Sequence, residues 1–218
     1  MYPAIKRFFD VLFSLLALII LSPLLVPIII ILKLTGEHEV FYFQERIGLR
    51  NKKFNIWKFA TMMKNSPNLG TGEITLRNDP RVTKVGRFLR RTKINELPQI
   101  INVLRGDMSF VGARPLMQKS FDQYSPEVQS VVYKTRPGIT GIGSVIFRDE
   151  EKIISESKDI QATYRQVFKY KGRVEQWYQE HISFYTDIMI LFLTAWCIIF
   201  SNSQLVYRVF PSLPKRDF

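Results

Sequence analysis

Asn95 and Glu96 stand side by side inside the most basic stretch of the chain. Residues 51–120 carry fourteen Lys or Arg and four Asp or Glu, in a chain whose formal net charge is +12. Basic density of this kind suits phosphate-bearing partners such as nucleotides, anionic lipid headgroups or nucleic acid. Asn95 reads as the N-cap of a helix, Glu96 complements the positive helix end, and Pro98 is tolerated in the first turn. Ile94, Leu97, Ile101 and Leu104 then form one apolar stripe, and Gly106 is a natural stop. Capping alone accounts for Asn95 and Glu96. A helix N-terminus also binds phosphate, however, and Arg87, Arg90, Arg91, Arg105 and Arg114 lie near it in sequence. Farther on, Arg136-Pro137-Gly138-Ile139-Thr140-Gly141 reads as a tightly shaped loop with an Arg at its mouth. Arg148 leads a run of three acids, Asp149, Glu150 and Glu151, which suits a helix start.

Several chemistries are excluded. A single Cys, Cys197, rules out an intramolecular disulfide and a Cys-rich zinc site. The two His residues, His38 and His181, fall in no metal-binding motif, and neither a P-loop nor a G-x-G-x-x-G fingerprint occurs. No motif of a nucleic-acid-binding module is present, so no nucleic-acid partner is expected.

The elements that must position these residues begin with an apolar run. Val11–Leu32 is 22 residues without a charge, roughly 33 Å as a straight helix and long enough to cross a bilayer. It is too long for a cleaved leader, and no A-x-A site follows it. Ser22-Pro23 interrupts it: Pro23 removes a helical hydrogen bond, and Ser22 can bond back to an upstream carbonyl. Lys6 and Arg7 precede the run; Lys33, Arg46, Arg50, Lys52 and Lys53 follow. Basic residues favour the cytoplasmic side. With both flanks basic, a re-entrant helix-break-helix and an ordinary crossing with a tolerated proline both remain open on charge alone. Val40–Phe43 and Phe54–Thr61 read as two strands of a hairpin turned by residues 49–53. Residues 64–80 read as a loop, and helices are expected from Val82 and from residue 116 to about Tyr133. Ile182–Phe200 is a second apolar segment: a membrane span, an interfacial helix or a core helix.

These residues together resemble the bacterial sugar transferase family, the monotopic polyprenol-phosphate phosphoglycosyl transferases. The matching pieces run in order. They are Lys6-Arg7-Phe8-Phe9-Asp10, Ser22-Pro23, Gln44-Glu45-Arg46-Ile47-Gly48, Lys58-Phe59-Ala60-Thr61-Met62 and Gly86-Arg87-Phe88-Leu89-Arg90-Arg91-Thr92. Glu96-Leu97-Pro98-Gln99, Asn102-Val103-Leu104-Arg105-Gly106-Asp107-Met108-Ser109, Arg114-Pro115 and Arg136-Pro137-Gly138-Ile139-Thr140-Gly141 complete the series. The resemblance implies transfer of a sugar 1-phosphate from a UDP-sugar to undecaprenyl phosphate, release of UMP and a need for Mg²⁺. It also implies a re-entrant N-terminal helix bent at Ser22-Pro23 and a globular part on the cytoplasmic face of the bacterial inner membrane. Phospholipids are implied as further partners, and a homo-oligomer is left open.

The family uses an adjacent Asp-Glu pair, the Asp attacking the β-phosphate to form a covalent phospho-sugar. Here Asn95 stands in place of that Asp, and Glu96 matches the Glu. An amide is a poor nucleophile, so three options remain. Glu96 takes over, the lipid phosphate attacks directly, or the chain is an inactive member that scaffolds polysaccharide assembly. Other departures are Ala113 within Gly112-Ala113-Arg114-Pro115, Ile142-Gly143-Ser144 where Trp-Ala-Gln is frequent, and Glu175 where a late Asp is usual.

The expected fold is α+β and mostly helical, with a re-entrant membrane segment, a small β-hairpin and amphipathic interfacial helices. Residues 1–34 form the membrane helix, 35–181 the catalytic domain, 182–201 a membrane-associated helix and 202–218 a tail. Glu96 and Asn95 are the expected catalytic and metal-binding residues. Lys58, Arg114 and Arg91 are expected at substrate phosphates, and Arg136 and Arg148 at the nucleotide.

Overall fold

A computed structural model describes residues 2–66, 79–148, 159–200 and 203–216. Asp149, Glu150, Glu151 and most of the expected 64–80 loop lie outside them. The fold is α+β and mostly helical, as expected. It divides into two compact units. The smaller comprises Val11–Gln44 and Asn55–Arg105; the larger comprises Met1–Asp10, Glu45–Phe54 and Gly106–Phe218.

Helix α1, Tyr2–Leu34, runs through the apolar segment without interruption, with Pro23 and Pro27 inside it. The expected break into two half-helices is therefore corrected. Pro23 has no N–H for the carbonyl of Ile19, but the Ser22 hydroxyl donates to that carbonyl at 2.7 Å. One side-chain bond replaces the missing backbone bond, and helical pairing continues.

In the smaller unit, Ile28 and Leu32 at the end of α1 pack with Phe59 and Leu89, flanked by Leu25, Val85 and Ile94. The hairpin is longer than expected. Strand β1 is Phe41–Ile47 and strand β2 is Lys53–Phe59, with a 3₁₀ turn at Leu49–Asn51 in which Arg50 takes φ 55°. Helix α2, Lys84–Arg91, is capped by the Thr83 hydroxyl, which accepts from the Gly86 N–H. The helix expected from Asn95 divides. Ile94–Glu96 is a 3₁₀ turn entered from Lys93 at φ 60°, and helix α3 begins only at Gln99 and ends at Arg105. Pro98, which cannot donate, accepts from the Ile101 N–H at 2.9 Å and so sets the start of α3.

In the larger unit, strand β3, Ser109–Val111, pairs in parallel with strand β4, Gly138–Thr140. The Arg136–Gly141 loop is thus partly a strand. Around it lie α4 (Gln118–Phe121), α5 (Pro126–Val131) and α6 (Ile142–Ile146). Then come α7 (Ile160–Glu180), α8 (Phe184–Ile199) and α9 (Leu205–Val209). Val167, Tyr170 and Val174 of α7 and Ile190 and Leu193 of α8 form the main core. Helix α8 buries that stripe and exposes Phe184, Tyr185, Ile188, Leu191 and Phe192. The segment expected as a tail is packed: Val206, Phe210 and Leu213 are buried, and Trp177 donates to Ser212 Oγ at 3.0 Å.

The beginning of α1 is fastened in the same unit. Lys6 pairs with Asp187 and donates to the Val111 carbonyl at 2.8 Å. Asp10 accepts from Ser109 Oγ at 3.0 Å and from the Phe110 N–H at 3.1 Å.

Candidate active site

The strongest part of the site lies in the smaller unit. Asn102 is fully buried in α3 and grips β2: its amide donates to the Asn55 carbonyl at 2.8 Å, and its oxygen accepts from the Trp57 N–H at 2.9 Å. That clamp fixes the strand on which the next residue, Lys58, is carried. Lys58 Nζ lies 3.1 Å from Glu96 Oε1, with side-chain exposures of 17% and 28%. The pair is thus sheltered but reachable.

Asn95 sits one residue before Glu96 and is 9% exposed. It is not an N-cap, because α3 starts four residues later. Its Oδ1 is buried and has no hydrogen-bond partner. A buried amide oxygen left unpaired costs about 1–3 kcal/mol, so the native turn holds it against a penalty. Such an orphan acceptor beside a carboxylate is suited to a cation or to a donor on a substrate.

Of the neighbouring cations, Arg91 is exposed at the end of α2. Arg90 is the half-buried one: its Nε donates to Thr61 Oγ1 at 2.8 Å. Burial pushes the Arg90 guanidinium below its ordinary value, with the charges of Asp79 and Glu96 opposing that shift. Sequence spacing alone did not separate Arg90 from Arg91; their places on α2 do.

The remaining expected residues belong to the larger unit. Arg114 is exposed, and the carbonyl of the same residue accepts from the Tyr133 hydroxyl at 2.7 Å. Tyr133 is 1% exposed and its hydroxyl also accepts from the Leu116 N–H, so one buried phenol shapes the Arg114-Pro115 turn. Burial drives that phenol well above its ordinary value, and it acts as a neutral donor. Arg136 is partly buried, and its Nε donates to the Gly106 carbonyl at 2.7 Å. Arg148 is exposed at the end of a described segment.

Glu175 is the residue that spacing alone could not have found. It is 5% exposed on α7, its Oε2 has no hydrogen-bond partner, and burial pushes its carboxyl up to about 7 against the field of Lys171. Its other oxygen, Oε1, lies 2.3 Å from where a Cβ on Gly143 would stand. The two departures from the family pattern are thus physically linked. A carboxylate one methylene longer than Asp occupies the space that the methyl of an Ala would need.

Among the described residues no group of three or more His, Cys, Asp or Glu is placed to hold a metal ion. Mg²⁺ does not require one, since it takes one or two protein oxygens and fills its octahedron with water and substrate phosphate. The Glu96 carboxylate and the orphan Asn95 oxygen fit that modest requirement.

Residues 1–201 match the sequence pattern of the bacterial sugar transferases. The chain belongs to the bacterial sugar transferase family. One relative is the UDP-N-acetylgalactosamine-undecaprenyl-phosphate N-acetylgalactosaminephosphotransferase of Aeromonas hydrophila. It is 33% identical over 200 residues, covering 91% of this chain and 44% of that one. A second is the UDP-glucose:undecaprenyl-phosphate glucose-1-phosphate transferase of Escherichia coli K12. It is 42% identical over 139 residues, covering 63% of this chain and 30% of that one. The exopolysaccharide production protein ExoY of Sinorhizobium fredii is 32% identical over 213 residues, covering 91% and 87%. The chain therefore spans less than half the length of the Aeromonas and Escherichia relatives, and most of the Sinorhizobium one.

Proposed function

We propose that the chain transfers a sugar 1-phosphate from a UDP-sugar to undecaprenyl phosphate and releases UMP. Family membership and the substrates in the relatives' names support this reading. The structural observation that carries it is the sheltered Lys58–Glu96 pair, with the unpartnered oxygen of Asn95 on the preceding residue of the same turn. Both substrates are phosphates. Lys58 supplies a cation held against its carboxylate until an anion competes for it, and the half-buried Arg90 adds a second. Arg114 and Arg91 are assigned to phosphate, and Arg136 and Arg148 to the nucleotide. The Nε bond of Arg136 to the Gly106 carbonyl orients the guanidinium at the mouth of its loop.

Mg²⁺ is assigned to Glu96 and Asn95, where it would neutralise charge on the diphosphate. Two routes are open to these residues. In the first, Lys58 releases Glu96, whose carboxylate attacks the β-phosphorus; the bond to UMP breaks, and the lipid phosphate then displaces Glu96 from the resulting acyl phosphate. Alternatively, the lipid phosphate attacks directly while Asn95 orients the diphosphate. A phospho-sugar adduct on Glu96, formed from UDP-sugar without lipid acceptor and detected by mass spectrometry, marks the first route.

The decisive test is UMP release by the purified chain with undecaprenyl phosphate, Mg²⁺ and a panel of UDP-sugars. Asn95 at the nucleophile position motivates a second reading, an inactive member that scaffolds polysaccharide assembly. No release with any sugar supports that reading.

For the membrane, the reading is a re-entrant α1 with the globular part on the cytoplasmic face. Basic residues on both flanks of the apolar run, Lys6 and Arg7 before it and Lys33 after it, support it. The beginning of α1 is tied to Asp187, Val111 and Ser109, and its end packs on Phe59 and Leu89. Between those anchors the chain has no other helix long and apolar enough to cross a membrane among the described residues. The reading has α1 bend, still helical, at Pro23, where the backbone hydrogen bond to Ile19 is missing, so that both ends return to one side. At 16 residues α8 is too short to span, and its exposed aromatic face suits the interface.

A further inference from the structure

Helix α7 carries two adjacent stripes that the proposed reaction does not use. Tyr164, Phe168, Gly172 and Gln176 recur at steps of four; so do Arg165, Lys169 and Arg173. Both stripes line a cleft of about 860 Å³, closed on its other side by Gln123, Tyr124, Ser125 and Val128 around the start of α5. The cleft is within the size range of small-molecule sites. Its floor is built by close approach: a Cβ on Gly172 would stand 2.9 Å from Val128 Cγ2, so only glycine lets the two helices meet there. Phe168 is buried in that floor with its ring 4.8 Å from that of Tyr164 and 5.7 Å from that of Tyr124.

Among the described residues the lining holds three cations and no carboxylate. Arg165 and Lys169 are exposed, and neither forms an ion pair among the described residues. Like charges four residues apart on a helix repel one another, so the stripe is unfavourable for α7 alone. An anion seated in the cleft would relieve that repulsion. The Tyr164 ring beside it offers a flat face for a planar group.

We infer that this cleft is a second ligand site, for a nucleoside polyphosphate whose phosphates lie along Arg165 and Lys169 and whose base stacks on Tyr164. All the lining residues belong to the larger unit, and none is among those assigned to the sugar-phosphate reaction. The inference is independent of that reaction.

The test is equilibrium binding of a fluorescent ATP analogue to the full chain in nanodiscs, with competition by ATP, UTP, pyrophosphate and adenosine. Saturable binding is expected, displaced by either nucleotide and at least about tenfold less well by pyrophosphate or adenosine alone. Reversing two charges in R165E/K169E should weaken binding by about tenfold or more, and the milder R165Q/K169Q by less. K58A should leave the affinity unchanged. Both cleft variants should keep the parent's circular dichroism spectrum and Tm, which shows them folded. Absence of saturable binding up to millimolar analogue overturns the inference. So does an affinity that follows K58A rather than the α7 variants. If R165E/K169E lowers binding to vesicles containing phosphatidylglycerol and leaves nucleotide affinity intact, the stripe serves the membrane and the inference fails.

Discussion

Gly143→Ala should destabilise the protein, and Glu175→Asp should cancel the effect. Gly143 lies within α6, where alanine is ordinarily better than glycine by up to about 1 kcal/mol. Against that gain stands the Glu175 carboxylate, with Oε1 2.3 Å and Cδ 3.4 Å from the new methyl. The first distance is about 1 Å inside normal contact, and Glu175 is buried, so its carboxylate has little room to swing aside. Overpacking of this kind costs roughly 1–3 kcal/mol, which leaves a net loss of about 1–2 kcal/mol. For a chain of this size that lowers Tm by roughly 2–8 °C. Glu175→Asp withdraws the carboxylate by one methylene. In that background Gly143→Ala should be neutral or stabilising, a coupling of about 1–3 kcal/mol between the two positions. Thermal unfolding of the four proteins in detergent, followed by circular dichroism, completes the cycle. Additive effects, or a Gly143→Ala protein as stable as the parent, would refute the steric link.

Other outcomes follow from the same geometry. Glu175 has a folded-state pKa raised to about 7 from an ordinary 4.5. The folded state therefore binds the extra proton, and stability contributed below pH 4.5 is lost as pH rises toward 7. Glu175→Gln removes that loss, and should raise stability at pH 8 by up to about 3 kcal/mol and far less at pH 4.5. Denaturant titrations at the two pH values check it; equal gains at both would sink the assignment. Asn95→Asp puts a second carboxylate beside Glu96, which should repel the diphosphate and leave UMP release modestly changed or reduced. A thousand-fold gain would instead mean that the site is still built for an aspartyl nucleophile. Replacing Ser22 and Pro23 together by Ala restores the backbone bond to Ile19. It should shift α1 toward a crossing, so that cysteines introduced near residues 3 and 36 label from opposite faces instead of one.

Elements whose signal is local were legible in the sequence, and those made by distant partners were not. The apolar run announced α1, and alternating aromatic stretches announced the hairpin. The break at Ser22-Pro23 was misread because the same serine that marks a bend also supplies the bond that keeps the helix whole. Strands β3 and β4 are three residues each, and β4 opens on Gly138, so their mutual pairing is what defines them. Asn95 reads as a cap because Asn-Glu at a helix start is common; the αL residue Lys93 and the late start of α3 after Pro98 decide otherwise. In the site, Lys58 and Glu96 are 38 residues apart, and only the family's motifs brought them to attention together. Glu175 drew notice as a departure from Asp. Its burial, and its claim on the space above Gly143, could be seen only once α6 and α7 were in contact.

The knot around Lys6 bears on how the protein is made. Lys6 and Tyr2 meet Asp187, and Asp10 meets Ser109. The start of α1 is thus locked by residues synthesised 181 positions later. Until Asp187 has emerged, α1 holds an ammonium group whose partner does not yet exist, at the edge of a segment already drawn to lipid. Membrane insertion must then precede closure of the larger unit, and a release factor or stalled ribosome acting before residue 187 would leave an anchored chain without its buried lock.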